Sequence, residues 1–267
     1  MPYSIASNTE GYRLTDRNTL IRQDLPIALG RGLEMGPLCS PIVQRSQGNI
    51  LYADFLSTAE LTRQHAENPA YDTAAIVEVD IVLAGKPLEQ ALAPFAPFDY
   101  IVASHVFEHI ANPIRWLQQL SGALCPGGQI SLAIPDKRYT FDYLRVPTRF
   151  SELLANFHQG VDFPTALQAL DNNLNVVKLD ANAVWNGTLD EAQLEHHFSP
   201  EVAVSYWQAT IAKGIFADCH CTVWTYDHFL QTFDELRRLG LTDLELHHSH
   251  APPPQSIEFF ATLRKPG

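Results

Sequence analysis

The stretch "ASHVFEHI", residues 103–110, sets His105, Glu108 and His109 in the pattern H-x-x-E-H. On one unbroken helix this spacing would put two imidazoles a turn apart beside a carboxylate, a set able to hold zinc and activate water. The neighbouring residues oppose that reading. Pro113 follows His109 by four residues, where its ring disrupts the helical bonding behind it. On the other side "FDYIVAS" (98–104) is an apolar strand pattern that ends directly at His105. The motif therefore belongs to a strand-to-helix junction. No helix with a third carboxylate ligand follows it, so no metal site is expected.

The elements around the junction alternate. Apolar strand patterns occur at 32–36, 49–54 ("NILYAD"), 74–80 ("AAIVEVD"), 98–104 and 129–135 ("QISLAIP"). Amphipathic helical patterns lie between them, at 57–67 with a Ser or Thr cap, at 87–95 and over most of 105–124, which "CPGG" terminates. Near-continuous apolar strands alternating with helices predict a parallel sheet covered on both faces. Residues 1–30 are polar and irregular, with one short helix near "RNTLIRQDL". Residues 137–218 break the rhythm with helical patterns such as "RFSELLANFHQ" and "SPEVAVSYWQATIAKG" and no clear strand. A helix at 226–240 then leads to strands at 241–250 and 256–265. The Pro-rich turn between those two is too short for a parallel crossover, so they pair antiparallel.

Composition bounds the function. The chain has 267 residues, 46% hydrophobic and 18% charged, enough for one large α/β domain. No long apolar run or leader pattern is apparent, which predicts a cytoplasmic protein without a membrane span. The net charge of −12 argues against a nucleic-acid partner. Cys39, Cys125, Cys219 and Cys221 form no C-x-x-C, and Cys-His-Cys at 219–221 is too tight for the usual zinc patterns, so reduced thiols are expected.

Residues 98–136 resemble the region from the fourth to the fifth strand of class I S-adenosylmethionine-dependent methyltransferases. Phe98-Asp99, Glu108-His109, Asn112-Pro113, Pro126-Gly127-Gly128 and Pro135-Asp136 match that family's pattern in order. The resemblance implies a Rossmann-like, doubly wound, mostly parallel seven-stranded sheet with a terminal antiparallel hairpin. The core would be 31–136 and 219–267, after an N-terminal extension (1–30), with 137–218 as a helical insertion and candidate substrate lid. It implies S-adenosylmethionine as cofactor. Glu34 and Gly36 carry over from the family's acidic, glycine-rich first loop. The other two glycines of that loop are absent from "LEMGPLCSPIV", where Leu38 and prolines stand instead. Asp54 resembles the acid that meets the ribose, Asp80 the acid that meets the adenine, and Ser104 and His105 the residues lining the methionine part.

Open α/β sheets bind ligands at the carboxyl ends of their strands, which makes His105 the functional histidine of the motif. His109 is expected to pack or hydrogen-bond locally, and Glu108 to hold the loop. Methyl transfer to oxygen needs a proton acceptor, for which His105, Asp136 and His220 are the candidates. A metal on Asp136 and one of these histidines has no spacing signature. No Asn-Pro-Pro-Tyr-like stretch follows the fourth strand, and Cys125 lies in a helix-stop turn, so methylation of nucleic-acid bases is disfavoured. The expected function is O-methylation of a small molecule or glycan, with the insertion's aromatic residues available to stack on it. The lost glycines leave a catalytically inactive binding or scaffold module on the same fold as the alternative. The oligomeric state is open.

Overall fold

The computed structural model describes residues 16–68, 71–213 and 218–267. Residues 1–15 of the expected N-terminal extension and residues 214–217 of the expected insertion lie outside the described residues. Helix α1 (Arg17–Ile21) precedes strand β1 (Arg31–Met35) and β2 (Asn49–Asp54). Then come α2 (Thr58–His65), β3 (Ile81–Val82), α3 (Leu88–Leu92), β4 (Phe98–Ser104), α4 (Pro113–Ala123) and β5 (Leu124–Pro135). Helices α5 (Phe150–Gln159), α6 (Ala166–Asn175), α7 (Ala181–Trp185) and α8 (Pro200–Lys213) follow. The chain ends with α9 (Tyr226–Arg238), β6 (Glu245–His250) and β7 (Glu258–Arg264).

The seven strands form one sheet in the order β3-β2-β1-β4-β5-β7-β6. The first five are parallel, and β7 pairs antiparallel with both β5 and β6. This is the expected mostly parallel sheet with a terminal hairpin. The order in which the chain adds strands reverses between β1 and β4, which are themselves parallel, and this opens a crevice at their carboxyl ends.

Alternation along β4 divides the core between the two faces. Ile101 and Ala103 join one cluster with Leu117 of α4, Phe229 of α9 and Leu153 of α5. Tyr100 and Val102 face the other side, which Leu20 and Ile21 of α1 cover together with Ile42 and Val43 of the β1–β2 loop. The approach there is close, since a Cβ on Gly32 would run into the Tyr100 ring.

Three expected elements differ. The strand at 74–80 shrinks to a 3-10 turn at Thr73–Ala75 and two paired residues, Ile81 and Val82. The amide of Val77 goes to Leu38 O and that of Val79 to Thr58 Oγ1, which takes both out of the ladder with β2. The helix expected over most of 105–124 begins only at Pro113, capped by Asn112, whose Oδ1 accepts from Arg115 N–H. Proline at the first helical position starts a helix well, and residues 107–109 before it make only a 3-10 turn. The strand expected at 241–250 begins at Glu245.

The region expected as a separate insertion divides in two. Leu153 of α5 is fully buried in the main core, with Phe150, Leu154 and Phe157 packed against it. Helices α6 and α8 pack on each other.

Candidate functional site

Three neighbouring strands end level with one another. Met35 pairs with Ala53 of β2 and with Ala103 of β4, so Gly36, Asp54 and Ser104 stand side by side at the crevice. The amide of Gly36 donates to Ala53 O at 2.9 Å. Gly36 has φ of +64°, and a Cβ there would come within 2.9 Å of Val106 Cγ2, so both conformation and space call for glycine. Leu38, also left-handed at φ +45°, offers its carbonyl to Val77 N–H.

Glu34 is buried beneath this loop. Its two carboxylate oxygens accept the amides of Ile42 (2.6 Å) and Val43 (3.0 Å), clamping the loop back onto β1. Burial pushes its pKa up to about 7 against the pull of those amides. Glu34 therefore acts on a ligand only through the loop it holds. Residues 37–48 carry turns and no helix. A sulfonium cofactor has no phosphate that would need a helix N-terminus.

Asp54 lies at the rim, its carboxyl raised above the usual range by burial although the amides of Leu56 and Phe55 oppose this. Such a carboxylate gains from hydroxyl donors. Together with the close approach permitted at Gly36 and the half-exposed Phe55 beside it, it fits an adenosyl group. Asp80 does not belong to this set. It precedes β3, and its Oδ2 accepts Tyr52 N–H and an Arg45 Nη2 proton, each at 2.7 Å, so it braces the sheet behind the rim. Ser104 Oγ accepts from Arg17 Nη2 of α1.

Beyond Ser104 the backbone turns sharply, with His105 at φ +53°, a conformation that non-glycine residues seldom hold. His105 Nε2 meets Glu258 Oε2 at 2.8 Å, and Nδ1 stands 3.5 Å from Glu108 Oε1. Glu258 opens β7, which runs antiparallel and so delivers its first residue to the carboxyl end of β5 opposite Pro135. Arg17 bonds the same Glu258 carboxylate. Burial disfavours charge on His105, but Glu108 and Glu258 outweigh it and lift the pKa to about 9. At neutral pH His105 is an imidazolium and a donor. The expected role of proton acceptor does not fit it.

Asp136 does not fit that role either. It is fully buried, with Oδ1 accepting from Arg138 N–H and Nε–H, and Oδ2 from Arg138 Nη2 and Tyr226 N–H. It joins the end of β5 to the start of α9.

His220 does reach the junction. The chain at 221–222 is stitched to the turn after β4 by the amides of Cys221 (2.7 Å) and Thr222 (3.0 Å), both donating to Glu108 O. His220 Nδ1 meets Asp142 Oδ2 at 2.6 Å, and Nε2 faces Glu108 Oε1 at 3.9 Å. Asp142 is itself paired with buried Arg145 at 2.7 Å. The His109 ring stands edge-on to His220 at 4.8 Å, its Nδ1 2.8 Å from Asp218 Oδ1. Burial opposes charge on His109, but Asp218 and Glu108 raise its pKa above the ordinary value. Sequence reasoning placed Glu108 and His109 as local supports and missed Asp142, Asp218, Glu258 and Arg17. No motif spacing marks these four. Only the hairpin predicted at the C-terminus could have placed Glu258, as the first residue of an antiparallel return strand.

The zinc geometry suggested by H-x-x-E-H is not formed. His105 turns to Glu258, while His109 faces His220 from more than a hundred residues away.

Residues 40–179 match the model of a family described as "Methyltransferase domain". No curated protein matches the chain. Among solved structures, an S-adenosylmethionine-dependent methyltransferase from Mesorhizobium loti is 14% identical, with 94% of this chain and 100% of that chain covered and a TM-score of 0.46. The CcbJ methyltransferase from Streptomyces caelestis is 13% identical, covering 93% and 88%, with a TM-score of 0.46. A Rhodobacter sphaeroides protein described provisionally as a Zn-dependent alcohol dehydrogenase is 11% identical, covering 94% and 89%, with a TM-score of 0.47.

Proposed function

Because the chain belongs to the methyltransferase-domain family and so uses S-adenosylmethionine, we propose that it methylates an oxygen atom of a small molecule or glycan. The observation that carries this reading is the juxtaposition of two features. The level ends of β1, β2 and β4 fit the adenosyl group, and directly beyond β4 lies a cluster of carboxylates and imidazoles able to remove a hydroxyl proton.

The sulfonium supplies a methyl carbon already activated for displacement, so the protein has chiefly to align, to exclude water and to take a proton. Gly36 lets the backbone approach the donor closely. Asp54 accepts from the ribose hydroxyls. Glu34 keeps the loop closed over the sheet. The salt bridge from Arg17 to Glu258 and the hydrogen bond that His105 Nε2–H donates to Glu258 fix the turn after Ser104. With the donor bound, its methyl carbon would pass to the acceptor oxygen while the carbon–sulfur electron pair stays on sulfur, and the residues placed to take up the released hydroxyl proton are Glu108, His109 and His220. A hydroxyl acceptor needs this proton sink, whereas a neutral amine can attack first and lose its proton afterwards.

The part of the insertion nearest this cluster brings Phe141, 39% exposed, with its ring 4.6 Å from that of His220. Tyr139 and Trp185 stack on each other at 4.2 Å, which commits those two rings to the fold. Phe141 is thus the aromatic we assign to the acceptor. The net charge of −12 favours a small or uncharged acceptor over nucleic acid. No helix among the described residues is long and apolar enough to cross a membrane.

The test is transfer from methyl-labelled S-adenosylmethionine to panels of polyols, phenols, sugars, amines and oligonucleotides, with the product bond identified by NMR. Labelled methyl ethers are expected. Methylated amines or bases as the sole products would overturn the reading.

A further inference from the structure

We propose that Glu108, His109 and His220 bind one divalent transition-metal ion, and that this ion holds the acceptor oxygen. The ion-binding half stands on the cluster alone, while the acceptor half rests on the methyltransferase reading.

One ligand atom from each of the three residues lies within 4.8 Å of the others. Metal–ligand bonds of about 2.0–2.2 Å put ligand atoms at most roughly 4 Å apart, so the set closes on an ion by under about 1 Å of movement.

Two further observations point to a ligand. Glu108 is 1% exposed, and neither of its carboxylate oxygens has a hydrogen-bond partner among the described residues. Its nearest imidazole nitrogens are His105 Nδ1 at 3.5 Å and His220 Nε2 at 3.9 Å, and a buried carboxylate that accepts no hydrogen bond is rare and costly unless something binds it. The imidazoles beside it are also set up as ligands. Each donates Nδ1–H to an aspartate, His109 to Asp218 and His220 to Asp142, and Asp142 is locked by Arg145. This fixes the tautomer and leaves the lone pair on Nε2, the arrangement in which histidines coordinate metal.

Two imidazoles and one carboxylate suit zinc, iron(II), manganese(II) or nickel(II) better than magnesium or calcium. Three protein ligands leave a coordination position open. An acceptor hydroxyl bound there would be far more acidic and would give up its proton before transfer, so the ion would take over the proton-removing role assigned above to the side chains of this cluster. The cluster of Asp24, His247 and His248 at the sheet edge is mostly exposed and has no orphaned carboxylate.

The test uses the untagged full chain, stripped with chelator and titrated calorimetrically with zinc chloride and manganese chloride. One ion per chain is expected to bind. His109→Ala and His220→Ala should each weaken binding at least about tenfold, and His248→Ala should leave it unchanged. His109 is at the edge of the cluster, which guards against a folding failure at buried His220. S-adenosylhomocysteine is titrated into the same samples and should bind equally well with and without metal. Absence of binding by both ions, or full affinity in both histidine variants, would overturn the site. Loss of S-adenosylhomocysteine binding by the wild type would instead overturn the methyltransferase reading and leave the metal result standing.

Discussion

Gly36, Asp54 and Ser104 each close one of three adjacent parallel strands, and the ladders between those strands set their positions. Glu108, His109, Asp142 and His220 share no strand. They come from the turn after β4, the loop after β5 and the return from the helical region, joined by the His220–Asp142 side-chain bond and by the two backbone amides that donate to Glu108 O. The half of the crevice proposed for the donor is thus positioned by strand ladders, and the half proposed for the acceptor mainly by charged side chains packed among themselves. Backbone ladders tolerate substitution at the rim. A charged network does not, because removing one member leaves its partners buried and unpaired.

The sharpest way to break the contrast is Arg145→Met. Arg145 is buried, pairs with Asp142 and Asp171, and donates to His220 O. Losing it leaves Asp142 buried with His220 as its remaining side-chain partner and should cost about 3–5 kcal/mol in denaturant unfolding. S-adenosylhomocysteine affinity per folded molecule should be unchanged, and a parallel loss of affinity would merge the two halves. Within the helical region, Leu153→Ala should cost about 2–5 kcal/mol because that side chain fills the main core. Leu167→Ala, on a residue 72% exposed, should stay within about 0.5 kcal/mol. Equal effects at the two positions would restore the picture of one detachable lid.

On the donor side the expected effects are smaller. Asp54→Ala should weaken S-adenosylhomocysteine binding by about 1–3 kcal/mol with little change in melting temperature. Glu34→Gln should move stability by a similar amount, because an amide offers only one oxygen to the amides of Ile42 and Val43. Unchanged binding in Asp54→Ala would remove Asp54 from the ribose site.

The mildest prediction concerns His105, whose ion pairs join the halves. Its pKa is raised from 6.5 to about 9 in the folded chain. The stability it contributes is fully present below about pH 6.5 and is lost as pH rises through about 9. In metal-free protein the melting-temperature gap between wild type and His105→Gln should therefore narrow across that window. A gap independent of pH would mean that Glu108 and Glu258 do not hold it.

What the sequence determined by itself is what depends on local pattern. Apolar periodicity and turn residues marked β1, β2, β4, α2, α5, α9 and the carboxyl end of β5 to within a few residues, though β5 begins at Leu124, before its expected turn, and the short Pro-rich turn required the antiparallel end of the sheet. The same locality placed Gly36, Asp54 and Ser104 at strand ends, since a strand end is a position along the chain. Locality failed at 74–80, where a β-rich stretch lost its ladder to Leu38 and Thr58. It failed at Asp136 and Asp80, whose carboxylates are occupied by Arg138 and Arg45. It failed most at H-x-x-E-H, read as one unit. Only the tertiary structure separated His105 from His109, sending the first to Glu258 on the last strand and the second to His220. Those partners are chosen by burial and charge, which act through space and leave no period in the sequence.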